Sequence, residues 1–260
     1  MEQRSNPIVL ERRSIYVKSH GMTLETRTER RTAPLSKTQI VEAAISILDR
    51  EGEDALTFRA LATRLVTGSG ALYHHVASKD DLLAAATDDL IAHVTRQAAS
   101  EATPEQALRA LARGVFDTLQ RHPWIGSVLS RDPWQYAVVR LIESIGQQIQ
   151  SMGVPGPAQF NAATAVMSFI LGLASQHASR ARLFPPGADQ TALRDVALRS
   201  IAARWMTFEP SEHPFVREVA KILPDHDDRE QFLGGVDIIV RGLRSLREDA
   251  MDGDGSDFCR

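Results

Sequence analysis

Residues 57–79 constrain the fold of this chain more than any other stretch. They read Thr57-Phe58-Arg59-Ala60-Leu61-Ala62-Thr63-Arg64-Leu65, then Val66-Thr67-Gly68, then Ser69-Gly70-Ala71-Leu72-Tyr73-His74-His75-Val76, then Ala77-Ser78-Lys79. Thr57 is a good N-cap, and Leu61 and Leu65 repeat at helical spacing behind it. The spacing predicts two short helices joined by a tight turn, with a third helix capped by Ser78 following at once. Leu61, Leu65, Leu72 and Val76 would hold the pair together. Ser69, Gly70, Ala71, Tyr73 and His74 are then left facing outward. Such a pair suits double-stranded DNA because the major groove admits one α-helix. The residues at that helix's N-terminus meet base edges while the preceding helix braces on the backbone.

The rest of the chain also reads as helix. Ser36 and Gln39 form a capping box, followed by Ile40, Ala43, Ala44, Ile47 and Leu48 at helical spacing and a stop at Gly52. Behind Ser78 a helix runs through Leu82, Leu83, Ala86, Leu90 and Val94. Thr103-Pro104-Glu105 is a second strong start: an N-cap, a proline at the first helical position and an acid near the dipole's positive end. A domain boundary is placed here, near residue 100. Further helices are expected over 104–121, 123–130, 134–152, 157–180, 190–206, 212–222 and 228–247. Breaks fall at Pro123, Pro133, Gly153–Pro157, Pro185–Gly187, Pro210 and Pro224. No strand alternation and no internal repeat appears. The fold class is all-α. The expected organisation is a flexible basic extension (1–34), a helix-turn-helix domain with linking helix (35–100), a second helical domain (101–247) and a flexible acidic tail (248–260).

Composition narrows the function classes. Lone Cys259 can make neither an internal disulfide nor a cysteine-rich zinc site, which fits a reducing, cytoplasmic setting. The longest apolar run, near Ala165–Ala174, is far short of the ~20 residues that span a bilayer, so no membrane partner is expected. Residues 1–34 hold seven basic residues against four acidic, a balance of +3. Residues 35–98 hold six basic residues against nine acidic, a balance of −3. That second balance counts against nucleic acid, since counterion release needs positive charge at the phosphates; the basic extension can offset it. His74 and His75 do not make a metal pair, because adjacent helical residues point apart.

The pattern Leu56-Thr57-x-Arg59-x-Leu61-Ala62, then Leu72-Tyr73-x-His75-Val76-x-x-Lys79, then Leu82-Leu83, resembles the helix-turn-helix of the tetracycline-repressor (TetR) family of transcription factors. The resemblance implies that Tyr73, His75 and Lys79 contact phosphates and that Arg59 reaches a base or phosphate. Arginine suits that role because its fork can bind guanine O6 and N7 together. Thr57, Thr67, Ser69, Gly70, Ala71 and His74 complete the candidate DNA-binding set. One departure stands out. Many family members carry Leu-Gly-Val in the turn, and this chain has Leu65-Val66-Thr67. A glycine relieves the strain of a left-handed turn residue, and valine tolerates it poorly. Either the turn conformation differs or its strain costs stability.

The ending Phe232-Leu233-Gly234-Gly235-Val236-Asp237-Ile238-Ile239-Val240-Arg241-Gly242-Leu243 is similar to the final helix of the tetracycline-repressor branch. The resemblance thus reaches both ends of the chain and implies a C-terminal ligand pocket and dimer interface. Residues 160–174 are apolar nearly all round, and such a helix must be covered on several faces. A homodimer through helices 157–180 and 228–247, as a four-helix bundle, meets that need. Phe116, Trp124, Trp134, Tyr136, Met167, Phe169 and His177 are the candidate ligand-binding residues. The family's drug–magnesium repressors place imidazoles where rough alignment puts Leu129 and Val94, with His93 one position off. No metal and no other cofactor is therefore expected, and the effector is expected to be a small, largely apolar organic molecule.

The resulting expectation is a homodimeric, ligand-responsive repressor that leaves a palindromic DNA operator when its effector binds. An enzyme is not expected: no His-Glu-x-x-His, phosphate loop or Cys cluster appears. The alternative is a helical protein-interaction module that no longer binds DNA specifically, motivated by the acidic balance of residues 35–98 and the altered turn.

Overall fold

The computed structural model describes residues 35–131, 134–183 and 190–252, with the side chains of 180–190 and 251–252 excepted. The basic extension 1–34, the breaks at Pro133 and Pro185–Gly187 and tail residues 253–260 lie outside the described residues. Among those described, every regular element is helical.

The start signals act as the sequence suggests. Helix α1 (Lys37–Glu51) opens on a complete capping box: Ser36 Oγ accepts from Gln39 N–H at 3.2 Å, and Gln39 Oε1 accepts from Ser36 N–H at 3.0 Å. Gly52 closes it at φ 83°, a positive-φ backbone that glycine reaches without a Cβ clash, and its N–H returns to Leu48 O. Thr57 caps α2 (Phe58–Leu65), and α3 (Ser69–Tyr73) follows the turn. Ser78 caps α4 (Lys79–Ala98). Thr103 caps α5 (Pro104–Arg121), with Pro104 in the first turn, where its missing N–H has no intrahelical partner to lose.

Beyond α5 come α6 (Trp124–Arg131), α7 (Tyr136–Ser151), α8 (Gly156–Leu183), α9 (Gln190–Met206), α10 (Pro214–Ile222) and α11 (Asp228–Asp252). Three starts fall later than expected, that of α6 by a single residue and two others by two. The seventh helix begins at Tyr136 because Gln135 stays extended and spends its side-chain amide on Val128 O at 2.6 Å. The tenth begins at Pro214, again with proline in the first turn. Stops differ as well: α6 and α7 each end one residue from the expected position, α8 runs three residues further to Leu183, and the last helix runs past Glu248 to Asp252, since residues 248–252 contain no breaker and the first glycine is Gly253.

One hydrophobic core runs from the head into the bundle. Ile40, Ile47, Leu61, Leu72 and Leu82 form its head end and Leu111, Ile125, Leu141, Ile145 and Ile170 its bundle end, all buried. Helix α4 spans the two, packing on α1, α5 and α7. Helix α8 is long and apolar enough over Gly156–Ser179 to cross a membrane by length and composition. Its inward side chains, Ala162, Val166, Ile170 and Ala174 among them, are instead buried against α5, α6, α7 and α11. The α6–α8 crossing is close because residue 126 is glycine: a Cβ there would overlap the Ala174 carbonyl.

Candidate DNA-reading head and ligand cavity

The head is built around Leu61 and Leu72, both fully buried, with Val76 beside them and Leu65 half-buried at the edge. The turn between α2 and α3 keeps a left-handed residue. Val66 sits at φ 52° and ψ 48°, and no other non-glycine described residue has positive φ. The reason is local. With Val66 left-handed, Val66 N–H reaches Thr63 O (3.3 Å) and Thr67 N–H reaches Ala62 O (3.0 Å), which satisfies the last carbonyls of α2. Of the two outcomes the sequence left open, the turn conformation is retained. Holding an L-residue there costs roughly 1–2 kcal/mol. The Val66 side chain is 86% exposed, so packing returns nothing.

Thr57, Arg59, Ser69, Gly70, Tyr73, His74 and His75 are exposed, and Thr67, Ala71 and Lys79 are half-buried. Three of these residues have structural work as well. Thr57 Oγ1 accepts from Ala60 N–H at 3.1 Å, which leaves its hydroxyl proton available to a phosphate. Lys79 Nζ donates to Glu53 O at 2.6 Å, tying the start of α4 to the 3₁₀ turn Glu53–Ala55. Tyr73 stacks on Phe58 with centroids 4.3 Å apart and planes 9° from parallel. The stack fixes the ring while leaving Tyr73 57% exposed. Phe58 escaped the sequence reading because its periodicity marks it only as one more apolar residue.

A cavity of about 1350 Å³ lies where the C-terminal end of α1 meets α5, α6, α8 and the start of α11. Phe116, Trp124 and His177 line it. The structure does not bring the other four candidates there. Met167 is buried in the core, and Phe169 stacks on Phe232 at 5.0 Å. Trp134 is 85% exposed, and Tyr136, also exposed, lies against a shallow groove on the head with Lys37 and His75. Trp134 lies in the α6–α7 connection and Tyr136 opens α7, and neither lines the cavity.

The charged wall of the cavity went unread in the sequence. Asp49 Oδ1 accepts from Trp124 Nε1–H and meets His122 Nδ1, each at 2.8 Å. Arg131 grips Glu53 through both carboxylate oxygens at 2.8 and 2.7 Å. Arg229 pairs with Asp117 at 3.0 Å. Arg194 binds both oxygens of Asp228, and that hydrogen-bonded carboxylate raises the Arg194 pKa. The signal was present as Asp49-x-Glu51-x-Glu53-Asp54, but it stood only as negative charge weighing against DNA. Leu129 and Val94 are buried in the core.

The geometry is that of a helix-turn-helix head with a cavity beside it. The family model for bacterial regulatory proteins of the tetR family matches residues 40–86, and the tetracyclin repressor-like C-terminal domain matches residues 99–247. The second match covers more than half of the chain, which belongs to the tetR family of bacterial regulatory proteins. Among particular relatives, the transcriptional regulator SCO7222, a TetR from Streptomyces coelicolor, superposes with a TM-score of 0.71 at 42% identity, over 82% of this chain and 100% of that one. The transcriptional repressor DrrR1 of Streptomyces coeruleorubidus is 30% identical over 168 residues, 62% of this chain and 59% of that protein. An uncharacterized regulator of Mycobacterium tuberculosis is 56% identical over 52 residues, 20% of this chain and 24% of its own length. The chain therefore spans between a quarter and three-fifths of these two relatives. ActR of S. coelicolor, solved with actinorhodin, shares the fold at 24% identity with a TM-score of 0.62, over 86% of this chain and 99% of that one.

Proposed function

We propose that this chain works as a homodimeric, cytoplasmic repressor that sits on a palindromic operator and leaves it when a small organic molecule enters the cavity. The division of labour follows the boundary near residue 100, with residues 35–100 reading DNA and 101–247 holding ligand and partner. The observation that carries the reading is the shared wall. Trp124 of the cavity is hydrogen-bonded to Asp49 of the head, and Arg131 holds Glu53, whose carbonyl holds Lys79. A ligand that shifts α6 therefore pulls on α1 and on the start of α4. The close contact at Gly126 makes α6 follow α8 rather than yield locally.

Within the head, Arg59, Ser69 and His74 are assigned to base edges and Tyr73, His75 and Lys79 to phosphates. Dimerisation is assigned to the outward faces of α8 and α11. Ala165, Ser168 and Gly172 line one face, and Gly234, Ile238 and Gly242 the other; all six are exposed in the single chain. Small side chains let two helix pairs approach closely, and Ile238, 70% exposed, supplies apolar area. Two reading helices in such a dimer would meet half-sites about one DNA turn apart, roughly 34–36 Å.

The test is a titration of full-length protein against its own upstream intergenic DNA at two salt concentrations. Palindrome-dependent binding as a dimer that falls steeply with salt is expected. Affinity no better than for random DNA at low salt would refute operator reading. The second reading, an interaction module without specific DNA binding, rests on the strained valine in the turn and the acidic balance of residues 35–98. That second result would favour it.

A further inference from the structure

The wall of the cavity combines aromatic surface with one sign of surplus charge. Its deep side carries the buried rings of Phe116 and Trp124, with His177 edge-on to Phe116 at 5.8 Å. Its lining holds eight carboxylates against four guanidinium groups, a formal surplus of four negative charges. Three of the four guanidiniums already hold carboxylates. Arg131, Arg194 and Arg229 hold the carboxylates of Glu53, Asp228 and Asp117, and Arg121 Nε donates to the Asp117 carbonyl at 3.2 Å. The surplus is concentrated at the mouth. Glu51, Asp54 and Asp225 are exposed lining residues with no ion-pair partner among the described residues.

We infer that the ligand this cavity takes is an organic cation: a flat multi-ring body that stacks in the aromatic depth, with an amine or equivalent positive charge at the acidic mouth. The inference rests on the ligand-responsive reading above and narrows its effector from largely apolar to amphipathic and positively charged. The physical argument is one of displacement. An anion entering here finds one guanidinium without a carboxylate partner, that of exposed Arg121, and to reach any of the other three it must break a guanidinium–carboxylate pair, leaving a carboxylate without its partner in a partly desolvated wall. A cation breaks nothing. It reduces the repulsion among the mouth carboxylates. The volume exceeds the ~300–1,000 Å³ usual for drug-sized ligands, so a multi-ring body fits. A cleft lined by one sign of charge also raises the local concentration of the opposite sign and speeds entry.

A pair of dyes with one skeleton and opposite charge tests this. Rhodamine 6G is a cation and fluorescein an anion on the same three-ring xanthene core. Both are titrated against the full-length protein by fluorescence anisotropy, and separately against its complex with operator DNA. Rhodamine 6G is expected to bind roughly tenfold more tightly, since each of several solvent-screened charge pairs contributes modestly. That preference should shrink severalfold in the triple variant Glu51→Gln, Asp54→Asn, Asp225→Asn, and should fall with added salt. These side chains are exposed, so the variant should keep the helix content of the wild type, checked by circular dichroism. Equal binding, tighter fluorescein binding, binding of neither dye, or a preference untouched by the triple variant overturns the inference. The operator arm separates the two claims. A cation that binds by these criteria without releasing DNA leaves the charge assignment standing and refutes ligand-responsive release. Absence of dye binding with intact operator binding removes the charge assignment and leaves the regulator.

Discussion

Val66→Gly isolates the strain in the turn of the reading head. Valine at φ 52° and ψ 48° places its Cβ against the following carbonyl, and β-branching worsens the clash. Relief of that conformation is worth roughly 1–2 kcal/mol. Glycine gives part of it back, because the unfolded chain gains backbone freedom worth about 0.5–1 kcal/mol. Nothing else enters the balance: the side chain is 86% exposed, and the two hydrogen bonds of the turn are made by backbone N–H groups that glycine keeps. The expected net is a stabilisation of about 0.5–1 kcal/mol. Urea unfolding followed by circular dichroism should show a higher midpoint at unchanged slope. Val66→Asn, a residue that tolerates the left-handed region, should move the same way, and Val66→Ala should recover little. Operator affinity should stay near wild type, since the turn already holds its working shape. A glycine variant no more stable than wild type would refute the reasoning and mean that Val66 leaves the left-handed region in solution.

Gly126→Ala should destabilise the protein by about 1–3 kcal/mol, because the new methyl meets the Ala174 backbone and α6 and α8 must separate; thermal unfolding checks this, and an unchanged midpoint would show that the helices part easily. Glu105 is held below the ordinary glutamate range chiefly by its hydrogen bond to Arg244, opposed by partial burial. Its contribution is therefore full above that range and is lost as pH falls through the lowered value. Wild type should exceed Glu105→Gln in stability at neutral pH, and the gap should close on acidification; a gap that widens would refute the assignment. Arg59→Ala and Tyr73→Ala should each weaken operator binding by roughly 1–3 kcal/mol if Arg59 reads a base and Tyr73 positions the backbone. Helix content should be retained, although the Tyr73 variant also loses its stack on Phe58. Wild-type affinity in both variants would remove those roles.

The local signals determined much of this protein by themselves. Capping residues at Ser36, Thr57, Ser78 and Thr103 act within three residues of where they stand, so the helix starts they set could be read without knowing the fold. The buried pair Leu61 and Leu72 follows from the 3.6-residue period, and the family resemblance from offsets within about 30 residues. Tertiary structure decided what depends on distant partners. The aromatic candidates are alike in the sequence, yet Phe116, Trp124 and His177 converge on a cavity while Trp134 faces solvent. The acidic run after Leu48 looked like a surface hostile to DNA. It becomes a cavity wall only because α6 brings Trp124 and Arg131 against it from 75 and 78 residues away. Caps and periodicity are short-range physics written in neighbouring residues. Which charges face which rings is fixed by how the helices cross, and that depends on contacts such as Gly126 on Ala174 that no local pattern encodes.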